Sequence, residues 1–442
     1  MRNLLLMAGC VLFAYSLALN AQRYAISGRI PFESDNGWDY LTTDSANGLL
    51  YVSHGTEVDV VDLAAEKPIA KIVGMKRIHG IAVTRAGYGR PTCRIKLIEA
   101  GHPLPDQAGI DATERTLKLA DAVEQDDLVL VLISGGASAN WIAPAGDVLL
   151  ADKRKLTSAL LASGAAIGEI NAVRKHLSHI KGGKLAARIA RAKNGPARLV
   201  TLAISDVAGD DPSAIGSGPT VPDPTTLADA RAILARYHID VPASIAAALA
   251  DPKNETPKRG DGAFARTSFE IVACPSQALV AASAVARAAG LTSIVIGDRV
   301  EGEARAVADL HAAHARKLAH SGKPTALISG GELTVTLKGS GRGGPNQEYA
   351  LALALALGGA PGIAALAADT DGTDGGGGRP TDPAGAFIDE TTLSRAAAIG
   401  LDPARFLADN DSTGFFERMG DLLTPGPTCT NVNDLRVVLV DT

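Results

Sequence analysis

The 442-residue sequence is poor in aromatic residues and cysteine and has no excess of positive charge, and each shortage argues against a class of function. Phe, Trp and Tyr make up 4% of the residues, which disfavours the aromatic stacking platforms of proteins that bind single-stranded nucleic acid. Lys and Arg number 43 against 48 Asp and Glu, so the charge balance does not predict nucleic acid as a partner. The four cysteines include no C-x-x-C pair, which indicates neither a zinc site nor a disulfide framework.

Signatures of membrane spans and of common nucleotide sites are also missing. After residue 22 no apolar run approaches the roughly 20 residues that span a bilayer. No Walker A loop or kinase Gly-rich loop occurs. No G-x-G-x-x-G follows a strand with an acidic residue about 20 positions later, which argues against a dinucleotide-binding oxidoreductase.

The first 83 residues differ in pattern from the rest. Residues 1–22 combine Arg2 with a mostly apolar run, Leu4 to Leu19, and predict a signal peptide, with an N-terminal anchor as the alternative. Residues 23–83 contain short strand-like segments separated by turns, as in an antiparallel sheet. The segments "WDYL" and "LLYVSHGTEVDVVDL" resemble the opening blade of secreted YncE-like β-propellers. We therefore expect a short β-meander fragment here.

From about residue 84 onwards, strand-like segments alternate with Ala-rich helical windows. This alternation predicts an α/β fold of mainly parallel sheets with helices on both faces. The stretch 251–262 is the most loop-like in the chain, so we place a domain boundary there, between residues 84–260 and 261–442. Asp111 is the predicted N-cap of a helix that begins at Ala112.

One pentad, Leu-Ile-Ser-Gly-Gly, occurs twice, at residues 132–136 and 327–331, and closes an apolar run each time. The first run, residues 128–131, has the composition of a strand buried on both faces. A Gly-rich strand end can point backbone N–H groups at an anion, although a plain tight turn is an equal alternative. The repetition favours two α/β units, each with an anion-receptive turn.

Polar clusters follow the predicted strands, where open α/β sheets collect their ligands. Asp206 follows a buried strand and is a candidate base or Mg²⁺ ligand. Asp371 and Asp374 lie with Asp369 in a Gly-rich stretch after another strand, and these three carboxylates in six residues could hold a divalent cation. Lys181 precedes a Gly-Gly turn at a helix start, a setting that suits phosphate or carboxylate. The alternatives are a solvated helix face for the basic cluster and turn capping for the acidic clusters.

Several longer motifs occur in order along residues 84–442. They are "GYGRPT", "EAGHPLPD", "LISGGASANW", "INAVRKHLSHIKGGKLA", "AISDVAGDDPSAIGSGPTVPDPTT", "GDRVEGEAR", "LISGGELTV", "GRGGPNQEYALALAL", "AADTDGTDG" and "GPTCTNVNDL". Together they resemble the class II glycerate 2-kinases, which carry a C-terminal MOFRL domain and of which some members are named hydroxypyruvate reductases. The resemblance implies a two-domain α/β transferase that uses ATP and Mg²⁺ to phosphorylate D-glycerate to 2-phosphoglycerate in an interdomain cleft.

The resemblance and the local patterns together give a set of expected site residues. The catalytic candidates are Asp206, Lys181 and Arg342, and the metal candidates are Asp206, Asp371 and Asp374. The candidates for contact with the nucleotide phosphates are Ser134, Gly135, Gly136, Ser138, Gly330, Gly331 and Asn346.

The chain departs from the family pattern at two places. The family opens with a strand, a Gly-Ala-Gly-Lys type turn and a helix, and residues 1–83 contain no such βα unit. Many members have Arg where this chain has Pro345, so the implied cationic role passes to Arg342. We hypothesise a chimeric N-terminus, from a gene fusion or a mis-joined reading frame, that replaces the first βα unit. The kinase part is expected in the cytoplasm, whereas the signal-like segment would direct export.

Two rival functions remain at the sequence level. One is a hydroxypyruvate reductase-type oxidoreductase, and the other is a non-catalytic secreted propeller-type binding protein. A propeller requires further blades, which do not follow in the sequence.

Overall fold

The structure, a computed structural model, describes residues 38–44, 49–54, 57–62, 67–72, 80–92, 95–102, 104–207 and 209–441. The predicted signal peptide, residues 1–22, lies outside these ranges. Among the helices in the described ranges, none has the length and apolar character needed to cross a membrane.

The strands and helices alternate along most of the chain. The strands are β1 (Trp38–Asp44), β2 (Leu49–His54), β3 (Glu57–Asp62), β4 (Lys67–Ile72), β5 (Gly80–Arg85), β6 (Ile95–Ala100), β7 (Leu128–Ile133), β8 (Arg198–Ile204), β9 (Thr267–Ala273), β10 (Thr292–Gly297), β11 (Gly302–Glu303), β12 (Thr325–Gly331), β13 (Leu333–Thr334), β14 (Ile363–Asp369), β15 (Gly385–Ile388), β16 (Leu422–Leu423) and β17 (Asp434–Val440). The helices are α1 (Gln107–Asp121), α2 (Ala137–Asn140), α3 (Leu150–Ala162), α4 (Ile167–His176), α5 (Lys184–Ile189), α6 (Leu227–Arg236), α7 (Ala243–Ala250), α8 (Pro275–Ala288), α9 (Ala304–Ala319), α10 (Pro345–Leu357), α11 (Thr392–Ala398), α12 (Pro403–Ala408) and α13 (Ser412–Met419).

The N-terminal strands β1 to β4 form an antiparallel meander in chain order. This agrees with the predicted β-meander, while the propeller resemblance stays a prediction. Strand β5 pairs in parallel with β6, so it crosses the predicted boundary at residue 83 and belongs with the α/β part. Helix α1 begins at Gln107, five residues before the predicted start at Ala112. Its N-cap is Asp106 rather than Asp111, because the Asp106 carboxylate accepts a hydrogen bond from Gly109 N at 3.0 Å.

The first large sheet has the order β7-β8-β9 and is parallel throughout. Strand β9 follows residue 260 but pairs with β8, because its apolar residues complete the first core. The pairing favours a domain division after Ala273 rather than at residue 260, and we propose that placement. Helices α1 and α5 pack on one face through Leu117, Leu185 and Ile189.

The other face of this sheet is exposed along β7. Leu128, Leu130 and Leu132 are 55%, 54% and 68% exposed, whereas Val131 and Ile133, which point to the opposite face, are 7% and 3% exposed. The prediction of a strand buried on both faces is therefore wrong for β7, because the packed helices α1 and α5 both lie on the side of Val131 and Ile133. The prediction of helices on both faces is likewise not met along this strand.

The second large sheet has the order β10-β12-β17-β14-β15-β16. The pair β10-β12 is parallel, whereas β12-β17, β17-β14, β14-β15 and β15-β16 are antiparallel. The prediction of mainly parallel sheets is therefore wrong for this half, because β17 returns between β12 and β14 in the opposite direction. Helices cover both faces, as predicted, since α9 and α10 pack on one side and α8 on the other.

Candidate functional site

The site begins where two neighbouring parallel strands end. Strand β7 ends at Ile133 and is followed by Ser134-Gly135-Gly136, and β8 ends at Ile204 and is followed by Asp206. A side chain at Gly135 would put its Cβ 2.5 Å from Asp206 Oδ2, so only glycine allows this approach. The predicted strand end and the predicted carboxylate therefore lie side by side.

The start of β17 supplies the opposite wall. Because β17 is antiparallel to its neighbours, Asp434 pairs with both Gly331 of β12 and Asp369 of β14. Just before the strand, Asn433 Nδ2 donates to the Asp206 carbonyl at 3.1 Å, and Asn431 Nδ2 donates to Asp206 Oδ2 at 3.5 Å. These contacts join the two α/β halves at one cleft.

A cavity of about 250 Å³ opens at this junction. Its lining is rich in carboxylate and amide groups and consists of Asp206, Glu332, Leu333, Pro345, Asp369, Asp374, Gly375, Asn431, Asn433 and Asp434. Oxygen donors of this kind are the ligands that hard cations such as Mg²⁺ prefer.

The cavity carboxylates are held in an environment that penalises their charge. Burial raises the pKa of Asp206, and the nearby Asp371 adds to the rise. Burial, followed by repulsion from Asp371 and Asp434, raises the pKa of Asp369 well above its usual range. Burial also raises the pKa of Asp434, although the Arg436 guanidinium opposes the rise. A bound cation would relieve this penalty.

Among the described residues, no three His, Cys, Asp or Glu side chains are placed to hold a metal ion by themselves. Mg²⁺ in phosphoryl-transfer sites commonly uses one or two carboxylates and completes its shell with phosphate oxygens and water. The lining fits that mode of binding.

Asp374, a predicted metal ligand, lies in the cavity wall but also caps helix α10. Its Oδ1 accepts from Asn346 N at 3.0 Å, and its Oδ2 accepts from Gln347 N at 2.8 Å and Gln347 Nε2 at 3.0 Å. Burial raises its pKa to about 7 even though these N–H donors favour the charged form. The contacts give Asp374 a structural role, and its metal role stays a prediction.

Asp371, the other predicted acidic ligand, pairs with a cation from the first half of the chain. Arg85 Nη1 lies 3.2 Å from Asp371 Oδ2, and Arg85 Nη2 donates to Thr373 Oγ1 at 3.2 Å. His102 stands nearby with its ring against Gly136. Burial and the Arg85 charge lower the pKa of His102, so its ring is neutral near neutral pH.

Lys181 lies behind the Gly-rich turn and is 1% exposed. Its Nζ donates to the Ser138 carbonyl at 2.8 Å and to Ser138 Oγ at 2.9 Å, and Ser138 Oγ lies 2.7 Å from Ser217 Oγ. Burial, together with the charges of Arg174 and Lys153, holds the pKa of Lys181 well below its usual range. In this arrangement Lys181 positions the turn through Ser138.

The second pentad differs from the first in structure. Strand β12 continues through Gly330 and Gly331, which pair with Leu435 and Asp434 of β17. The Gly330 carbonyl accepts from Arg436 Nη2 at 2.7 Å and from Val300 N at 3.1 Å. The prediction of a second open, anion-receptive turn is therefore wrong, because sheet pairing uses this backbone.

Two further predicted residues have other partners. Arg342 has a side chain that is 65% exposed and forms an ion pair with Glu417 at 2.6 Å, outside the cavity lining. Asn346 is buried, and its Nδ2 donates to Asp434 Oδ1 at 2.6 Å. Asn346 therefore holds a cavity carboxylate in place. Its contact with nucleotide and the catalytic role of Arg342 stay predictions.

Several cavity and cleft residues were not predicted as site residues from the sequence. They are Arg85, His102, Glu332, Asn431, Asn433 and Asp434, whereas Asp369 belongs to the acidic stretch that the sequence indicated as a cation site. A signal existed for most of them, since His102 lies in "EAGHPLPD", Glu332 lies in "LISGGELTV", and Asn431, Asn433 and Asp434 lie in "GPTCTNVNDL".

Comparison with known proteins matches two parts of the chain to family models. A family model described as "Domain of unknown function (DUF4147)" matches residues 12–250, and the model of the MOFRL family matches residues 325–434. A D-glycerate 2-kinase from Thermotoga maritima is 40% identical over 379 residues, 85% of this chain and 87% of that protein. The chain belongs to the glycerate 2-kinase family.

The structure supports the same family. A crystal structure of glycerate kinase from Thermotoga maritima matches with a TM-score of 0.73 and 40% identity over 83% of this chain and 86% of that one. A relative from Agrobacterium vitis, named "Putative hydroxypyruvate reductase", is 50% identical over 82% of this chain and 81% of its own length. The DUF4147 match begins at residue 12, within the segment that precedes the family-like motifs.

Proposed function

We propose that this glycerate 2-kinase family member transfers the γ-phosphoryl group of ATP to the 2-hydroxyl of D-glycerate. The observation that carries the proposal is the meeting of the Ser134–Gly136 turn and Asp206 with the acidic and amide lining of one interdomain cavity. Phosphoryl transfer depends mainly on positioning and on stabilising charge, and this arrangement offers groups for both.

In the proposed reaction a new bond forms between the 2-oxygen of glycerate and the γ-phosphorus, and the bond to the bridging oxygen of ADP breaks. The hydroxyl proton passes to Asp206, whose raised pKa suits a proton acceptor near neutral pH. ATP with Mg²⁺ supplies the phosphoryl group and neutralises its oxygens. Because Asp206 has the proton-accepting role, the residue that would hold the metal is Asp369, with the Asn431 amide as a further oxygen ligand.

The turn after β7 would receive the phosphates. Gly135 lies against the Asp206 carboxylate and the Asn431 amide, which occupy the space that a side chain at this position would need, so the turn offers its backbone to the phosphates. Lys181 holds the Ser138 carbonyl and hydroxyl behind the turn, so we assign it a positioning role.

Replacing Asp206 tests the proposal. D206N keeps the side-chain shape but removes the basic carboxylate, and we expect kcat to fall about 100-fold or more in a coupled assay for ADP. The matched control is D211N, since Asp211 is exposed on the same loop and contacts only its own turn through Ser213. Wild-type activity in D206N, or an equal loss in D211N, would contradict the assignment.

Hydroxypyruvate reduction is the second candidate, favoured by the name of the Agrobacterium vitis relative. The same purified protein should be given hydroxypyruvate with NADH or NADPH, and absorbance at 340 nm followed. Oxidation of the nicotinamide without ATP turnover on D-glycerate would replace the kinase proposal with this one.

A further inference from the structure

Three cations, Lys153, Arg174 and Lys181, form a cationic cluster behind the Gly-rich turn. Arg174 Nη2 donates to the Ser138 carbonyl at 3.2 Å, and Lys181 Nζ donates to the same carbonyl at 2.8 Å. Lys153 Nζ donates to the Leu177 carbonyl at 2.7 Å. Burial lowers the pKa of all three side chains, and the charge of Arg174 lowers the pKa values of the two lysines further.

The cationic cluster has no counter-ion within the described residues. None of its three side chains forms an ion pair with an Asp or Glu of those residues. The neighbouring Lys175, on the same helix as Arg174, is equally buried but pairs with Asp223 at 3.3 Å. A buried charge without a partner is costly, and such charges concentrate at functional sites. The contrast with Lys175 indicates that an anionic ligand balances the cationic cluster.

Arg174 is the member of the cationic cluster that can reach a ligand. Lys153 and Lys181 are 4% and 1% exposed, whereas Arg174 is only half-buried. Its hydrogen bond to Ser138 is the one that the guanidinium makes within the described part of the chain, so most of its five N–H donors remain available. These donors form a planar fork that binds a carboxylate through two parallel hydrogen bonds.

The position of Arg174 relates it to the proposed reaction centre. Ser138 follows Gly135 by three positions, in the turn that opens α2, and Gly135 lies against the Asp206 carboxylate. In D-glycerate the carboxylate and the 2-hydroxyl are on adjacent carbon atoms. A hydroxyl placed at Asp206 therefore brings the carboxylate to the same turn.

We propose that Arg174 binds the carboxylate of the 2-hydroxy acid substrate beside Ser138, and so makes the site specific for acids over neutral alcohols. This assignment rests on the proposed kinase function, which gives the phosphates to the backbone of the turn and the metal to Asp369. Arg174 thereby becomes a specificity-determining residue, with Lys181 holding the Ser138 carbonyl beside it.

Calorimetry on the full-length protein tests the assignment without turnover. D-glycerate is titrated into protein that holds Mg²⁺ and a non-hydrolysable ATP analogue, and the analogue is titrated separately. R174M should raise the Kd for D-glycerate at least about tenfold, because the charge-assisted hydrogen bonds are lost, and should change the Kd for the analogue less than about twofold. R174K, which keeps the charge but not the fork, should raise the Kd for D-glycerate by a smaller factor, at least about threefold.

The matched control is R154M, because Arg154 is an exposed cation on α3 and its loss removes the same charge from the same half of the chain. R154M should leave both Kd values unchanged. In the ADP-coupled assay R174M should raise KM for D-glycerate while kcat stays within about threefold of wild type. A purely structural role for Arg174 would instead lower kcat, as a displaced turn would misplace the phosphates.

Four results would overturn the assignment. They are an unchanged Kd for D-glycerate in R174M or in a folded R174K, an equal loss in R154M, a loss of affinity for the ATP analogue alone, and no binding of D-glycerate by the wild-type protein. Failure of the kinase proposal is distinguishable from these results. Wild-type protein that binds D-glycerate through Arg174 but forms no ADP would refute the kinase and keep the carboxylate site.

Discussion

The buried ion pair between Arg436 and Asp434 lies at the cavity wall, and its contacts predict how much free energy of unfolding is lost when the pair is broken. Arg436 is fully buried, and its Nη1 lies 2.8 Å from Asp434 Oδ2. Arg436 Nε donates a hydrogen bond to Ser329 Oγ at 3.3 Å, and Arg436 Nη2 donates to the Gly330 carbonyl at 2.7 Å. R436M would keep most of the side-chain volume but leave a buried carboxylate and two acceptors without this partner.

Breaking a buried pair from one side costs about 3–5 kcal/mol, because the remaining charge stays in a poor environment. With a urea m-value near 3 kcal/mol/M, the unfolding midpoint should fall by about 1 M or more. The loss in free energy of unfolding caused by R436M should be larger at pH 8 than at pH 5. Burial already raises the pKa of Asp434, and removing the guanidinium raises it further, so protonation at low pH relieves the unpaired charge.

Far-UV circular dichroism in urea gives the measurement. The matched control is R342M, which breaks the exposed pair with Glu417 and should cost at most about 1 kcal/mol. The double variant R436M/D434N should recover part of the loss, since it removes the buried charge. The reasoning would be refuted if R436M lost no more free energy of unfolding than R342M, or if the loss in R436M did not change with pH.

Further predictions concern pH, the Gly-rich turn and the surface arginine. The free energy of unfolding should fall as pH rises from about 4 to about 7, because Asp374, with its pKa raised to about 7, keeps its proton in the folded state after the unfolded chain has lost it. D374N should flatten that dependence in urea titrations at several pH values. K181M should lower kcat in the ADP-coupled assay about tenfold or more, because Ser138 loses both Nζ contacts, and unchanged kcat would contradict a positioning role. A loss of kcat in R342M, measured in the same assay, would restore the cationic role that the sequence predicts for Arg342.

Much of the first half of the site could be predicted because it depends on local sequence. An apolar run that stops at Ser134-Gly135-Gly136 defines both a strand and the turn after it, and β7 ends where the run ends. Asp206 follows the next buried strand in the same way, and parallel pairing of β7 with β8 brings the two together. The turn and Asp206 could be placed together from the positions of the two strand ends, because neighbouring parallel strands end at the same edge of a sheet.

The repeated pentad shows where local sequence stops being sufficient. Residues 132–136 and 327–331 are identical, yet the first leaves the sheet after Ile133 and the second stays in it through Gly331. The difference comes from β17, which pairs with Gly330 and Gly331 but has no counterpart beside Gly135. A partner strand more than 100 residues away therefore decides whether the same five residues form a turn or a strand.

The direction of that partner strand also explains the cavity residues that sequence reasoning missed. Had β17 run parallel to β12 and β14, its first residues would lie at the opposite edge of the sheet, far from Asp206. Because it is antiparallel, Asn431, Asn433 and Asp434 arrive at the edge where β12 and β14 end. The rule that ligands gather at the carboxyl ends of strands still holds for β7, β8 and β14, while an antiparallel strand contributes its amino end to the same place. In this chain the amino end of β17 supplies the amides that bind Asp206, so the cleft exists only because the last strand is reversed.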